Sequence, residues 1–164
     1  TIAELVSLAE KKNLPISRLM VLLEVSQGET GEEEVIRRMA HSWQMMKEAA
    51  AKGAQGVTSH SGMTGGDAGK MAEYLDSGLG LSGDTFLRAI CHALAVNEVN
   101  ASMGLICAAP TAGSCGVLPG VLLAVQEKLG KRDDAMVQAL FCAGAIGYVI
   151  ANNAVISGAA GGAE

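Results

Sequence analysis

The segment Asn97–Gly120, NEVNASMGLICAAPTAGSCGVLPG, decides how the rest of the chain is read. Besides two thiols, Cys107 and Cys115, its only ionisable group is Glu98. It opens as the end of a helical pattern and then breaks at Gly104, Pro110, Gly113, Gly116, Pro119 and Gly120, a density of breakers that predicts no helix or ladder through it. Asn97, Asn100, Ser102, Thr111 and Ser114 lie between them. Small hydroxyls and amides beside glycines suit a loop whose backbone closes on a small ligand. A tight buried turn between two helices fits the same residues, because glycine and proline mark turns with or without a ligand.

Outward from this stretch the pattern is helical in both directions. Ile2, Leu5, Val6 and Ala9 fall at helical spacing, Asn13 stops them, and Pro15 opens a second stripe of Ile16, Leu19, Met20 and Leu23. Val35, Ile36, Met39, Trp43, Met46 and Ala50 mark a long amphipathic helix, with Gly53 expected as its terminator. Phe86, Leu87, Ile90, Cys91 and Leu94 lead into the Asn97 stretch. Beyond Gly120, a short helix ends near Gly130. From Ala135 to Ile156 the chain is apolar nearly all round, which predicts a central helix. No convincing strand, solenoid repeat or interdomain linker is found. The expectation is one all-α domain over 1–164: a helical bundle with a central apolar C-terminal helix and glycine-rich substrate loops.

Composition excludes several classes. With 164 residues the chain is long enough for a sizeable core, which at 49% hydrophobic but only 3% aromatic must be aliphatic. A net charge of −5 with scattered basic residues argues against nucleic acid. The start resembles no signal or transit peptide, and the apolar run 139–151 is shorter than the roughly 20 residues a bilayer needs. The expected setting is therefore cytoplasmic, with no membrane partner. Four cysteines without a CxxC or close pair read as small buried hydrophobes, except Cys115, expected to be exposed and oxidisable in its loop.

A second segment, SHSGMTGGDAGK at 59–70, sets Thr64-Gly65-Gly66 ahead of a helix that begins near Asp67. A glycine turn feeding a helix N-terminus is an anion site in waiting, and Asp67 as a cap is compatible with it. The spacing GxxxxGK[ST] is absent, which rejects nucleotide binding. With 109–120 and 152–162 this makes three hydroxyl-bearing, glycine-rich loops. If they converge, they form a neutral pocket suited to a small carboxylate.

At these loops the sequence resembles a known family. Ser61-Gly62-Met63-Thr64-Gly65-Gly66-Asp67-Ala68, Asn97-Glu98-Val99-Asn100-Ala101-Ser102-Met103-Gly104, Ala109-Pro110-Thr111-Ala112-Gly113-Ser114, and Asn152-Asn153-Ala154 with 156–162 are similar, in order and spacing, to the alpha subunit of the iron–sulfur-dependent L-serine dehydratases. The resemblance covers essentially the whole chain, as the N-terminal half of such a subunit. It implies conversion of L-serine to pyruvate and ammonia without pyridoxal phosphate, in amino-acid catabolism. A 4Fe–4S cluster held by three cysteines would act as Lewis acid on the serine hydroxyl. It also implies a beta subunit or domain as partner, and a homo-oligomer. Ser61, Thr64, Gly65, Asn100, Thr111, Ser114, Asn153 and Ser157 are then expected to line the serine site, with the general base unassigned. Where the family reads Gly-Gly-Cys-Gln-Ala-Glu, this chain reads Gly161-Gly162-Ala163-Glu164, and none of its cysteines falls on a ligand position of the motif. The expectation is a cluster in the full-length protein, none bound by this chain, no activity from the fragment alone, and poorly ordered final residues. Two other readings compete: a non-catalytic helical interaction domain, and a lyase or isomerase for another small carboxylic acid.

Overall fold

A computed structural model describes residues 1–28 and 30–155. Its elements are α1 (Ile2–Lys12), α2 (Ile16–Gln27), α3 (Glu32–Ala54), α4 (Asp67–Asp76), α5 (Asp84–Ala101), α6 (Val117–Leu129) and α7 (Asp133–Ala151). The all-α expectation is met: among the described residues the only extended pairing is an isolated antiparallel bridge between Thr58 and Gly65. The chain divides into two compact units, one of 1–41 with the segment from Asp133, the other of 42–132.

In the first unit, Thr1 and Glu4 close a capping box on α1, and Asn13 ends the helix in the left-handed region at φ 51°. Pro15 caps α2, its fixed φ suiting helix entry. Helices α2 and α7 pack together, α2 burying Ser17 and Val21 and α7 burying Met136, Val137, Leu140, Phe141 and Ala145. An Arg18–Glu32 ion pair ties α2 to the first turn of α3. The apolar character of α7 is only partly used: Ile146, Tyr148 and Ile150 are exposed among the described residues. The helix is longer than the apolar run 139–151 suggests. The helix runs for 19 residues and is long and apolar enough, by length and composition, to cross a membrane. The buried face of α7 gives it a packing role that needs no bilayer.

The second unit is built on α5, which packs against α4 on one side and α6 on the other. Its core joins Ala49, Ala50, Val96, Val99 and Cys115, with Val57, Ile106 and Leu123 against them. These are small aliphatic side chains, and the helices approach closely to match. A Cβ on Gly53 would lie 2.0 Å from the Ala95 carbonyl oxygen. Gly53 is thus inside α3, not its terminator. The turn comes at Gly56, φ 90°, whose N–H donates to the Gly53 carbonyl. The non-helical part of the decisive segment is also shorter than its breakers predict. Helix α5 persists to Ala101 and α6 starts at Val117, with Pro119 and Gly120 inside its first turns. Proline is tolerated there because the first N–H groups of a helix lack intrahelical partners.

Candidate functional site

The last turns of α5 hold two loops of the second unit. On one side is the turn Ser59–Gly66. The Ser59 N–H donates to the Thr64 carbonyl at 2.7 Å and the Thr64 N–H to Ser59 Oγ at 3.1 Å, closing a small ring. Ser59 and Ser61 hydroxyls lie 3.2 Å apart, and the Met63 N–H reaches Ser61 Oγ at 3.4 Å. Gly62, Gly65 and Gly66 have φ of 71°, 141° and 84°. At Gly65 a Cβ would also meet the Val57 carbonyl oxygen at 2.3 Å, so only glycine fits. The Thr64 hydroxyl makes no hydrogen bond among the described residues and is exposed.

On the other side is the loop 109–116. Ser114 Oγ donates to the Ala109 carbonyl at 3.0 Å and lies 3.1 Å from Thr111 Oγ1; the Thr111 N–H donates to Ser114 Oγ at 3.3 Å. Asn100 Nδ2 donates to the Ala112 carbonyl at 3.0 Å, and the Cys115 thiol approaches Asn97 Oδ1 at 3.5 Å. Asn97 and Asn100 are three apart on α5 and so share a face, which the loop covers.

Between these contacts on α5 sits Glu98, 3% exposed. Its Oε1 accepts hydrogen bonds from the Asp67 N–H and, at 3.0 Å, the Ala68 N–H. The helix terminus expected to hold a ligand's anion therefore holds a carboxylate of the protein itself, an arrangement its free N–H groups and dipole favour. Asp67 is not the cap. Gly66 takes that position, and the Asp67 carboxylate pairs with Lys70 at 2.8 Å. Glu98 Oε2 is buried without a hydrogen-bond partner among the described residues. Leaving such an oxygen unpaired costs about 1–3 kcal/mol, more for a charged group.

Of the expected site residues, Ser61, Thr64 and Gly65 are thus on the first loop, and Asn100, Thr111 and Ser114 on or against the second. Asn153 lies in the other unit, its Nδ2 donating to the Val149 carbonyl at 2.7 Å. Ser157 lies outside the described residues. Glu98, the anchor, was missed as a site residue. Its signal was available: a lone acid in an otherwise uncharged segment.

Cys115 corrects another expectation: it is fully buried, and burial pushes its thiol pKa up. Desolvation likewise raises Cys91, whose thiol lies 3.5 Å from the Ala68 carbonyl, and Cys107, at 3.5 Å from the Ser42 carbonyl. Each of these thiols points at its own oxygen acceptor, and a raised pKa disfavours the thiolate a metal needs. Among the described residues no three His, Cys, Asp or Glu side chains are grouped to hold a metal ion. The described residues do not fit a cluster's ligand set. His92 Nε2 lies 2.9 Å from Glu127 Oε1, bridging α5 and α6. The first unit has a cleft of about 460 Å³ lined by Leu5, Leu8, Leu19, Leu23 and Tyr148 among others. Its lining is mostly apolar, and its polar residues Thr1 and Glu4 bond each other in the α1 capping box, so it does not compete as a site for a small charged substrate.

Comparison with known proteins places these loops in context. Residues 11–164 match the family described as serine dehydratase alpha chain. A probable L-serine dehydratase alpha chain from Bacillus subtilis is 49% identical over 99% of this chain and 54% of its own length. The L-serine dehydratase alpha chain of Peptoniphilus asaccharolyticus is 33% identical over 100% of this chain and 56% of its own. An L-serine dehydratase from Streptomyces coelicolor is 34% identical over 98% of this chain and 36% of its own. The chain spans about half the length of the first two relatives. No solved structure matches.

Proposed function

Because the chain belongs to the serine dehydratase alpha chain family, we propose that a protein carrying it eliminates water from L-serine to give pyruvate and ammonia. The α-proton and the β-hydroxyl leave together as water. The resulting enamine tautomerises to an imine, gaining a proton at the β-carbon and losing one from nitrogen, and water hydrolyses the imine to pyruvate and ammonia. Hydroxide is a poor leaving group, so the reaction calls for an electrophile at the hydroxyl. The family resemblance implies a 4Fe–4S cluster for that task, in place of pyridoxal phosphate. Its ligands would come from outside the described residues.

The contribution proposed for this chain is on the substrate side. Ser61, Thr64, Gly65, Asn100, Thr111 and Ser114, all in the second unit, are taken to line the serine site. Among the hydroxyls in the two loops, that of Thr64 is uncommitted, whereas those of Thr111 and Ser114 bond each other. We assign Thr64 to the ligand and Ser114 to the shape of its loop. A beta subunit or domain, a homo-oligomeric assembly and a cytoplasmic setting complete the proposal.

The observation that carries it is the family match across 154 residues, 11–164, together with two motif loops tied to the same end of α5. The test is pyruvate formation from L-serine by the full-length protein, reconstituted anaerobically with iron and sulfide. Turnover of L-serine well above that of other small hydroxy acids is the expected result. Turnover of a different acid alone would favour the rival lyase or isomerase reading, and none at all would favour a non-catalytic domain.

A further inference from the structure

We propose that Glu98 receives the α-ammonium group of the substrate amino acid: Oε1 is fixed by the α4 amides, and Oε2 accepts from the ammonium. This rests on the serine reading above and adds a role for a residue outside the expected site.

Three features of the structure lead there. Glu98 is buried, and one of its oxygens is already held by the Asp67 and Ala68 N–H groups. The other oxygen shares the same carboxyl carbon, lies at the same helix end and has no donor among the described residues. Lys70, near this helix end, makes its hydrogen-bonded ion pair with Asp67 and feels Glu98 only as a weaker, longer-range attraction. Two carboxylates, Asp67 and Glu98, thus share one ammonium, and Glu98 Oε2 has no cation bonded to it among the described residues. What fits is a small cation with donors and no acceptor. A primary ammonium has three donors on one atom and no lone pair, and an α-amino acid carries one. A hydroxy acid without an amino group has no such cation and would leave the Glu98 carboxylate unpaired.

The amides also explain why the carboxylate is suited to hold rather than roam. Two charge-assisted hydrogen bonds from a rigid helix end fix its plane, so Oε2 is preorganised for one direction of approach. Reaching it requires the adjoining backbone to shift. The segment that leads into α4, 59–66, has three glycines at positive φ, no regular secondary structure, and exposed Ser61, Met63 and Thr64. The loop that leads into the two amides holding Oε1 is also the loop whose Thr64 is assigned to the ligand.

The experiment compares L-serine with 3-hydroxypropanoate, which keeps the carboxylate and hydroxyl and lacks the ammonium. In the full-length, reconstituted protein, Glu98→Gln keeps an oxygen for the Asp67 and Ala68 amides. It should raise KM for L-serine at least about tenfold while the inhibition constant of 3-hydroxypropanoate stays within about twofold. A variant in which both constants move together, or in which KM is unchanged, overturns the assignment. Should Glu98→Gln fail to fold, hydrogen exchange in the wild-type protein decides. L-serine should slow exchange of the peptide spanning the start of α4 and 3-hydroxypropanoate should not. Equal protection by both overturns the proposal. A wild-type protein that turns over L-serine with an unaltered variant sinks only the Glu98 role. A wild-type protein that neither binds nor converts L-serine sinks the serine reading, and this role with it.

Discussion

Gly116 touches Ala93 so closely that a Cβ on it would stand 2.3 Å from the Ala93 carbonyl oxygen. One turn further along α6, the same test on Gly120 gives 2.6 Å to the Ala89 carbonyl. The α5–α6 interface is a glycine seam, with backbone against backbone. Gly116→Ala should therefore destabilise the protein by about 1–3 kcal/mol or more, as overpacking does. Gly144, in α7, has open space where its Cβ would go, so Gly144→Ala should be neutral or stabilise by about 0.4–1 kcal/mol. Urea midpoints of the two variants check this; a Gly116 variant as stable as the Gly144 variant would refute the seam.

Cys115 offers a second test. It is fully buried, and desolvation holds its thiol above the usual range. Alkylation by iodoacetamide at pH 8 should be at least about tenfold slower at Cys115 in the folded protein than in the unfolded chain, because the thiolate is the reacting species. Peptide mapping after timed labelling gives the ratio. A ratio near one would restore the exposed, oxidisable cysteine that the loop composition predicts.

The helices were legible because their signal is local. Periodicity placed α1, α2, α3 and α5 within a few residues, and Asn13 and Gly130 stop their helices in the left-handed region as expected. What the sequence hid depends on contacts far along the chain. Gly53 looks like a helix stop, but its glycine serves a close approach to Ala95, which no local pattern encodes. Glu98 stands out in the sequence as a lone acid in an uncharged segment, but nothing local says what it holds. Its role exists only because the amides of Asp67 and Ala68, some thirty positions away, come to meet it. Cys115 looked exposed because its neighbours are small and polar, yet the loop folds back on α5 and buries it. The two loop motifs were legible as motifs. Their shared attachment to Asn97, Glu98 and Asn100 was not.

Acid should remove one identifiable contribution to stability. Hydrogen bonds from Arg37 and then Arg38 hold the Glu34 carboxyl down from its usual 4.5 to about 2. A depressed carboxyl stabilises the folded state above its unfolded pKa, and that contribution fades as pH falls from about 4.5 towards 2. The pairs are partly exposed, so the effect is small and screened by salt. Any Tm difference between wild type and Glu34→Gln at pH 6 should shrink as pH falls through about 2 and be gone about a unit below it. A difference that persists there, where both side chains are neutral, would show that the ion pairs are not its source.

Thr64 and Ser114 separate substrate binding from loop construction. Ser114 Oγ contacts the Ala109 carbonyl, the Thr111 carbonyl, the Thr111 N–H and the Thr111 hydroxyl. Removing it leaves several partners unmet, each hydrogen bond being worth about 0.5–1.5 kcal/mol net. Ser114→Ala should therefore lower Tm by several degrees, roughly 2–8 °C for a loss near 1–2 kcal/mol. The Thr64 hydroxyl has no partner among the described residues, so Thr64→Ala removes nothing that the fold uses. Its Tm should stay within about one degree, surface changes away from such networks costing at most about 0.5 kcal/mol. Its KM for L-serine in the full-length enzyme should rise about threefold to tenfold, as loss of one ligand hydrogen bond requires. The contrast matters more than either value. If Thr64→Ala lowers Tm as much as Ser114→Ala, the loop needs Thr64 for its own shape. If KM for L-serine is unmoved, the hydroxyl does not face the substrate and the assignment of that loop to the ligand fails.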